Sequence, residues 1–220
     1  MNSMQEKNAA IRKEFNERLG ATIVKALDSK GFKAQYAATA AEAVKAVLAL
    51  VPDKSVVGIP GTSTVRELEL PEELEKKGCR IVQHWDPSLA VEDRPKRWKE
   101  ELASDVFVTS ANAVTHDGML VNIDGTGNRV AGMAWADNRI IFVVGINKVS
   151  RDLDSAEERI RDIATPLNAM RLNMDLPCAK VGYCVNCDSP QRACRATLVL
   201  ERAPFGRDAH VILVGENLGY

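Results

Sequence analysis

A chain of 220 residues, 45% hydrophobic and 27% charged, has enough apolar content to bury a core without disulfides. Its 29 Lys and Arg balance 30 Asp and Glu, leaving a formal charge of −1, so there is no basic footprint to make nucleic acid or an anionic membrane a default partner. Apolar runs such as Ile140-Ile141-Phe142-Val143-Val144 are too short to span a bilayer and the N-terminal stretch is charged throughout, so no membrane insertion and a cytoplasmic location are expected.

The first predicted element is a helix over residues 4–29, in which Ile11, Phe15, Leu19, Ile23 and Leu27 recur at four-residue spacing and after which Gly31 supplies a stop. Apolar runs at 32–37, 55–59, 80–83, 105–109, 119–123 and 139–145 read as strands, with helices at 40–50, 64–77 and 95–103 between them. Ser155 with Glu158 forms a capping box for a helix reaching residue 172, bent or divided at Pro166. Two β-rich runs, 196–201 and 209–215, are joined by residues 203–208 and read as a β-hairpin with a longer loop. Strands alternating with helices predict an α/β fold with a largely parallel sheet. No linker or repeat divides the chain, so a single domain over 1–220 is expected, carrying a cysteine-rich loop at 177–195.

That loop holds four of the five cysteines, Cys178, Cys184, Cys187 and Cys194, spaced C-x5-C-x2-C-x6-C. Two thiolates two residues apart can face one centre across a tight turn, and four complete an all-thiolate shell for a [4Fe-4S] cluster or for zinc. Pro177, Gly182, Asn186, Asp188, Ser189 and Pro190 make the segment turn-rich, so it buries little and a metal would hold it together. Zinc sites usually pair two tight knuckles and here there is one, which turns the spacing toward the cluster and leaves zinc as the alternative. Cys79 stands apart and reads as a small buried hydrophobe.

Two polar stretches follow predicted strands, where parallel sheets place their ligand crevice. In the first, Gly61, Thr62, Ser63 and Thr64 lead from a strand into a helix, and exposed N–H groups with hydroxyls there favour phosphate or carboxylate; a plain helix cap is the other reading. In the second, Asn112 precedes His116, and Asp124, Gly125, Thr126, Gly127 and Asn128 form a dense polar turn that is either a cleft wall or an ordinary hairpin turn. His116 is a candidate acid or base, Asp124 a candidate catalytic carboxylate, and Lys148, after a strong apolar strand, either a partner for an anionic substrate or a solvated lysine. His84 and His210 stand without a constellation around them in the sequence.

Taken together, the run 122–130, Gly145-Ile146-Asn147-Lys148, the segment 155–168 with Pro166-Leu167-Asn168-Ala169, and the cysteine segment from Pro177 to Cys194 resemble the LUD (lactate-utilisation) domain family, in its branch with a C-terminal cysteine motif. The resemblance implies a fold like ribose-5-phosphate isomerase and the CoA transferases, with residues 58–65 holding an anion. It also implies a link to oxidation of lactate to pyruvate beside other oxidoreductase subunits, and it favours [4Fe-4S] over zinc. The expectation is an iron–sulfur protein in redox metabolism of a small 2-hydroxy or 2-oxo acid, as enzyme or electron-transfer subunit. A non-redox isomerase, transferase or lyase with a structural metal, and a non-catalytic partner subunit, are the other classes. Association into an oligomer through the first helix is left open.

Overall fold

A computed structural model describes residues 3–135 and 137–220. Six strands form one all-parallel sheet: β1 (Lys33–Ala37), β2 (Val56–Gly58), β3 (Arg80–Val82), β4 (Val106–Thr109), β7 (Arg139–Gly145) and β10 (Ala209–Val214). Their spatial order is β1-β10-β7-β4-β2-β3. A second sheet of β5 (Ala113–Thr115), β6 (Leu120–Asp124), β8 (Val149–Ser150) and β9 (Ala196–Leu200) runs in the order β8-β5-β6-β9.

The parallel sheet is covered on both faces, which is why its central strands read as unbroken apolar runs. Ile141, Val143, Ile212 and Val214 point to a core shared with α2 (Ala40–Leu50), α3 (Ser63–Glu67) and α4 (Leu70–Lys76). Ile140, Phe142, Val144, Val211 and Leu213 point the other way, against Ile23 and Leu27 of α1 (Ser3–Ser29), Met133 of α6 (Asn128–Ala134) and the inner face of the second sheet. Outside that sheet, Ala113, Val121 and Ile123 pack on Ala156, Ile160 and Ala164 from a final helical layer. Among the described residues, no helix is long and apolar enough to cross a membrane.

The α/β class and the parallel sheet are as expected, and Gly31 ends α1 in a left-handed conformation with φ of 86°. The first helix buries only Gly20, Ile23 and Leu27; Ile11 and Phe15 are exposed. Four local expectations are corrected. The two tail strands do not form a hairpin: β9 pairs antiparallel with β6, while β10 inserts between β1 and β7 in the other sheet. The predicted helix 64–77 is broken into α3 and α4 around Glu69, whose φ is 51°, because Pro71 lacks the N–H that a continuous helix requires there. The later helix is capped by Asp152, whose carboxylate accepts from the Ser155 N–H at 2.9 Å, rather than by a Ser155–Glu158 box, and so begins one turn earlier as α7 (Leu153–Arg159). Pro166 does not divide it. A π-turn over Ile160–Ala164, in which Thr165 N–H donates to the Ile160 carbonyl, widens the helix so that α8 (Thr165–Arg171) continues past the proline.

Candidate functional site

A cleft of about 780 Å³ lies where β2, β3, β4 and β7 end, at the carboxyl edge of the parallel sheet. Its opposite wall is the β6–α6 turn, the π-turn with α8, and Gln191, Arg192, Ala193 and Arg195 of the cysteine segment. Seven Arg and Lys side chains line it against two Asp, Asp86 and Asp124, among the described residues. Asp124 contributes little negative field, since its carboxylate accepts the N–H groups of Gly125, Arg129 and Val130 at 2.8, 3.0 and 3.3 Å. It folds the turn and caps α6. The potential in the cleft is therefore positive.

Lys148 is buried at the β7 end, where its Nζ donates to Thr64 Oγ1 at 2.7 Å and to Ser110 Oγ at 3.0 Å. Burial, then the charges of Arg159 and Arg129, lowers its pKa to about 7. Arg159 itself is spent on backbone, donating to the carbonyls of Asn147 at 3.0 Å and Asn112 at 2.7 Å, which ties α7 to the strand ends. Burial lowers its pKa to about 10.

The β3 end is aromatic. The strands β7 and β3 are three spacings apart, roughly 14 Å, so the cleft is elongated and its two ends are chemically distinct. The guanidinium groups of Arg66 and Arg171 lie 4.0 and 4.4 Å from the ring centroid of Trp85. Burial lowers both arginine pKa values, and the Arg171 charge further lowers that of Arg66 against the pull of Glu72. Gly61 is required here: a Cβ on it would stand 2.7 Å from Trp85 Nε1. Three buried donors that belong to lining residues, Trp98 Nε1, Asn128 Nδ2 and Arg171 Nε, have no hydrogen-bond partner among the described residues. Native interiors rarely leave such groups unpaired.

Of the residues singled out from sequence, Gly61, Thr62, Ser63, Thr64, Asn112, Asp124, Gly125, Thr126, Asn128 and Lys148 line this one cleft. Gly127 does not; with φ of 92° it is the N-cap of α6. His116 is not brought to the cleft either. It is exposed in the turn between β5 and β6, at the far end of β5 from Asn112, because a strand separates the two residues. The expected strand-to-helix turn at residues 61–64 is present and lines the cleft, but α3 has only five residues, so the cationic side chains carry more of the field than its helix dipole. Sequence reasoning missed Arg66, Trp85, Trp98 and Arg171. It also missed His84, which lines the cleft and is paired with a buried glutamate, Glu101.

The cysteine segment begins with α9 (Pro177–Val181) and borders the cleft through Gln191, Arg192, Ala193 and Arg195. Cys178 is buried, and burial with the neighbouring Cys187 and Cys184 pushes its pKa up. The Asn186 N–H donates to Cys184 Sγ at 3.4 Å, with Asn186 at φ of 47°, and Arg192 Nε lies 3.1 Å from Cys194 Sγ. Amide and guanidinium donors on sulfur suit a thiolate centre. Among the described residues, however, no three His, Cys, Asp or Glu side chains converge on a point that holds a metal ion. Cys79 is buried in the main core, as expected.

The crystal structure of a DUF162 family protein from Deinococcus radiodurans superimposes with a TM-score of 0.53 at 14% identity, over 90% of this chain and 98% of that one, a likeness of fold. No curated protein matches the sequence. The family model of the LUD domain matches residues 21–214, a span that includes every strand of both sheets and the polar loops of the cleft. The chain belongs to the LUD domain family, which is associated with lactate utilisation.

Proposed function

We propose that the cleft binds a small organic anion, a 2-hydroxy or 2-oxo acid of the lactate and pyruvate class, and that the chain serves its redox metabolism as enzyme or electron-transfer subunit. The observation that carries this reading is the lining of the cleft, in which seven Arg and Lys side chains stand against two Asp among the described residues. A carboxylate supplies acceptors in the plane that a guanidinium prefers. Cys178, Cys184, Cys187 and Cys194 would hold a [4Fe-4S] centre, zinc being the alternative, on the segment whose residues 191–193 line the cleft. Such a cluster supplies one-electron transfer when bound.

In this reading Arg66 and Arg171 orient the carboxylate, and Thr64 and Ser110 hold Lys148 in place at the other end. Lys148 favours a second reading as well. An amine whose pKa lies at about 7 exchanges a proton readily at neutral pH, which a non-redox isomerase or lyase acting on the same class of acid would use.

Titration calorimetry with lactate, pyruvate and inorganic phosphate at two salt concentrations tests the anion site. Binding that weakens with salt is expected, and no heat with any of the three refutes it. Iron and acid-labile sulfide analysis of anaerobically purified protein, with its electron paramagnetic resonance spectrum, tests the cluster. Zinc as the sole bound metal refutes it.

A further inference from the structure

At the β3 end of the cleft stands a pair that the anion site does not account for. Glu101, on α5 (Arg94–Leu102), is 1% exposed, and a carboxylate that deep in a protein demands partners. Its Oε1 accepts the His84 backbone N–H at 2.6 Å and meets His84 Nδ1 at 2.7 Å. Two contacts to one residue fix both the loop after β3 and the plane of the imidazole. The ring packs edge-on against Trp85 and Trp98, with centroids 6.3 and 6.0 Å away, so it has little freedom to turn. His84 Nε2 makes no hydrogen bond among the described residues, and His84 lines the cleft. A carboxylate on Nδ1 holds the proton there in the neutral ring and leaves the Nε2 lone pair for a ligand.

We infer that His84 is a catalytic base of this cleft, with Glu101 its positioning residue, and that the pair moves a proton on the carbon next to the carbonyl of a 2-oxo acid. The inference rests on the 2-oxo acid reading above. His84 Nε2 takes the proton, the C–H electron pair becomes the enolate double bond, and the carbonyl oxygen gains the negative charge. Arg66 and Arg171, gathered on Trp85 beside the imidazole, hold the adjoining carboxylate and so bring their positive charge to that oxyanion. Glu101 stabilises the imidazolium, and return of a proton to carbon closes the cycle with no oxidant or second substrate.

The test is loss of the pyruvate methyl proton signal in D2O, followed by 1H NMR with the wild-type protein, His84→Gln and Glu101→Gln, beside calorimetry of pyruvate binding to each. Wild type is expected to exchange the methyl protons faster than free imidazole at the same concentration, and His84→Gln to lose about 10²-fold or more of that rate while still binding pyruvate. Glu101→Gln should lose ~10-fold or more, because the amide no longer stabilises the Nδ1–H tautomer or the imidazolium. Binding without exchange in wild type, or undiminished exchange in His84→Gln, overturns the base role and leaves the anion site standing. No binding of pyruvate overturns both. Long-range 1H–15N spectra of wild type decide the pairing even where a variant does not fold: protonation of Nδ1 in the neutral His84 ring supports it, and protonation of Nε2 overturns it.

Discussion

Lys148 makes a stability signature that runs against the usual direction for a basic group. An unfolded lysine keeps its pKa of 10.5, whereas burial holds the folded one at about 7. Between those values the unfolded chain binds more protons than the folded chain, so stability must rise with pH across that window. The penalty is fully present below pH 7, where Lys148 is charged in both states, and vanishes above pH 10.5. At about 1.4 kcal/mol per tenfold change in proton affinity the whole span is worth about 5 kcal/mol, and each pH unit from about 7.5 to 10 recovers ~1.4 kcal/mol. Lys148→Met removes the charge but keeps a side chain of similar length beside Thr64 and Ser110. Urea unfolding of both proteins at intervals from pH 6.5 to 9.5 measures the difference in stability, in which the titrations of the cysteines and tyrosines cancel. Wild type minus Lys148→Met should climb by roughly 3 kcal/mol over that range. A difference that is flat, or that falls with rising pH, would refute the claim that the amine is desolvated in the folded protein.

Other perturbations separate the parts of the site. Gly61→Ala places a methyl group against the Trp85 indole, so Trp fluorescence should shift and pyruvate affinity fall by about tenfold, or ~1.4 kcal/mol; unchanged affinity would detach Trp85 from the anion site. Asp124→Asn should cost about 1–3 kcal/mol in urea unfolding, since the amide oxygen replaces a carboxylate that accepts three backbone N–H groups. A larger effect on turnover than on stability would instead give Asp124 a chemical role. Cys187→Ser should lose metal and lower the melting temperature by about 5 °C or more, because metal binding energy is folding energy in a loop with so little core; an unaltered melting temperature would argue against a metal there.

Much of this architecture was legible in the sequence because it is local. Apolar runs separated by helical periods specified the parallel sheet, and Gly61 to Thr64, Asn112, Asp124 to Thr126, Asn128 and Lys148 advertised themselves as polar positions directly after strands. What stayed hidden depends on pairing across distance. Nothing around His84 reveals Glu101, which sits on another element and reads as an ordinary charged helix residue until α5 turns it inward. Arg66 and Arg171 are likewise unremarkable until Trp85 gathers them. The hairpin reading of the tail failed for a related reason. β10 is buried at all six positions and fits between two parallel neighbours, while β9, half-exposed, suits the second sheet, and proximity along the chain says nothing about that division.

The place of β10 sets a constraint on how the molecule comes into being. As the chain emerges in order during synthesis, β1 and β7 are available long before the strand that must lie between them, and each presents an unsatisfied row of N–H and C=O groups toward the gap. A nascent chain that has emerged only through β9 has nothing to join β1 to the other strands of the sheet. The same strand leads into the segment where Gly219 N–H reaches the Glu67 carboxylate at 2.6 Å and Leu218 N–H reaches Asn147 Oδ1 at 3.1 Å. The strand that joins β1 to β7 thus also carries the segment that closes the Lys148 end of the cleft, so the sheet and that end of the cleft are tied to one stretch of chain.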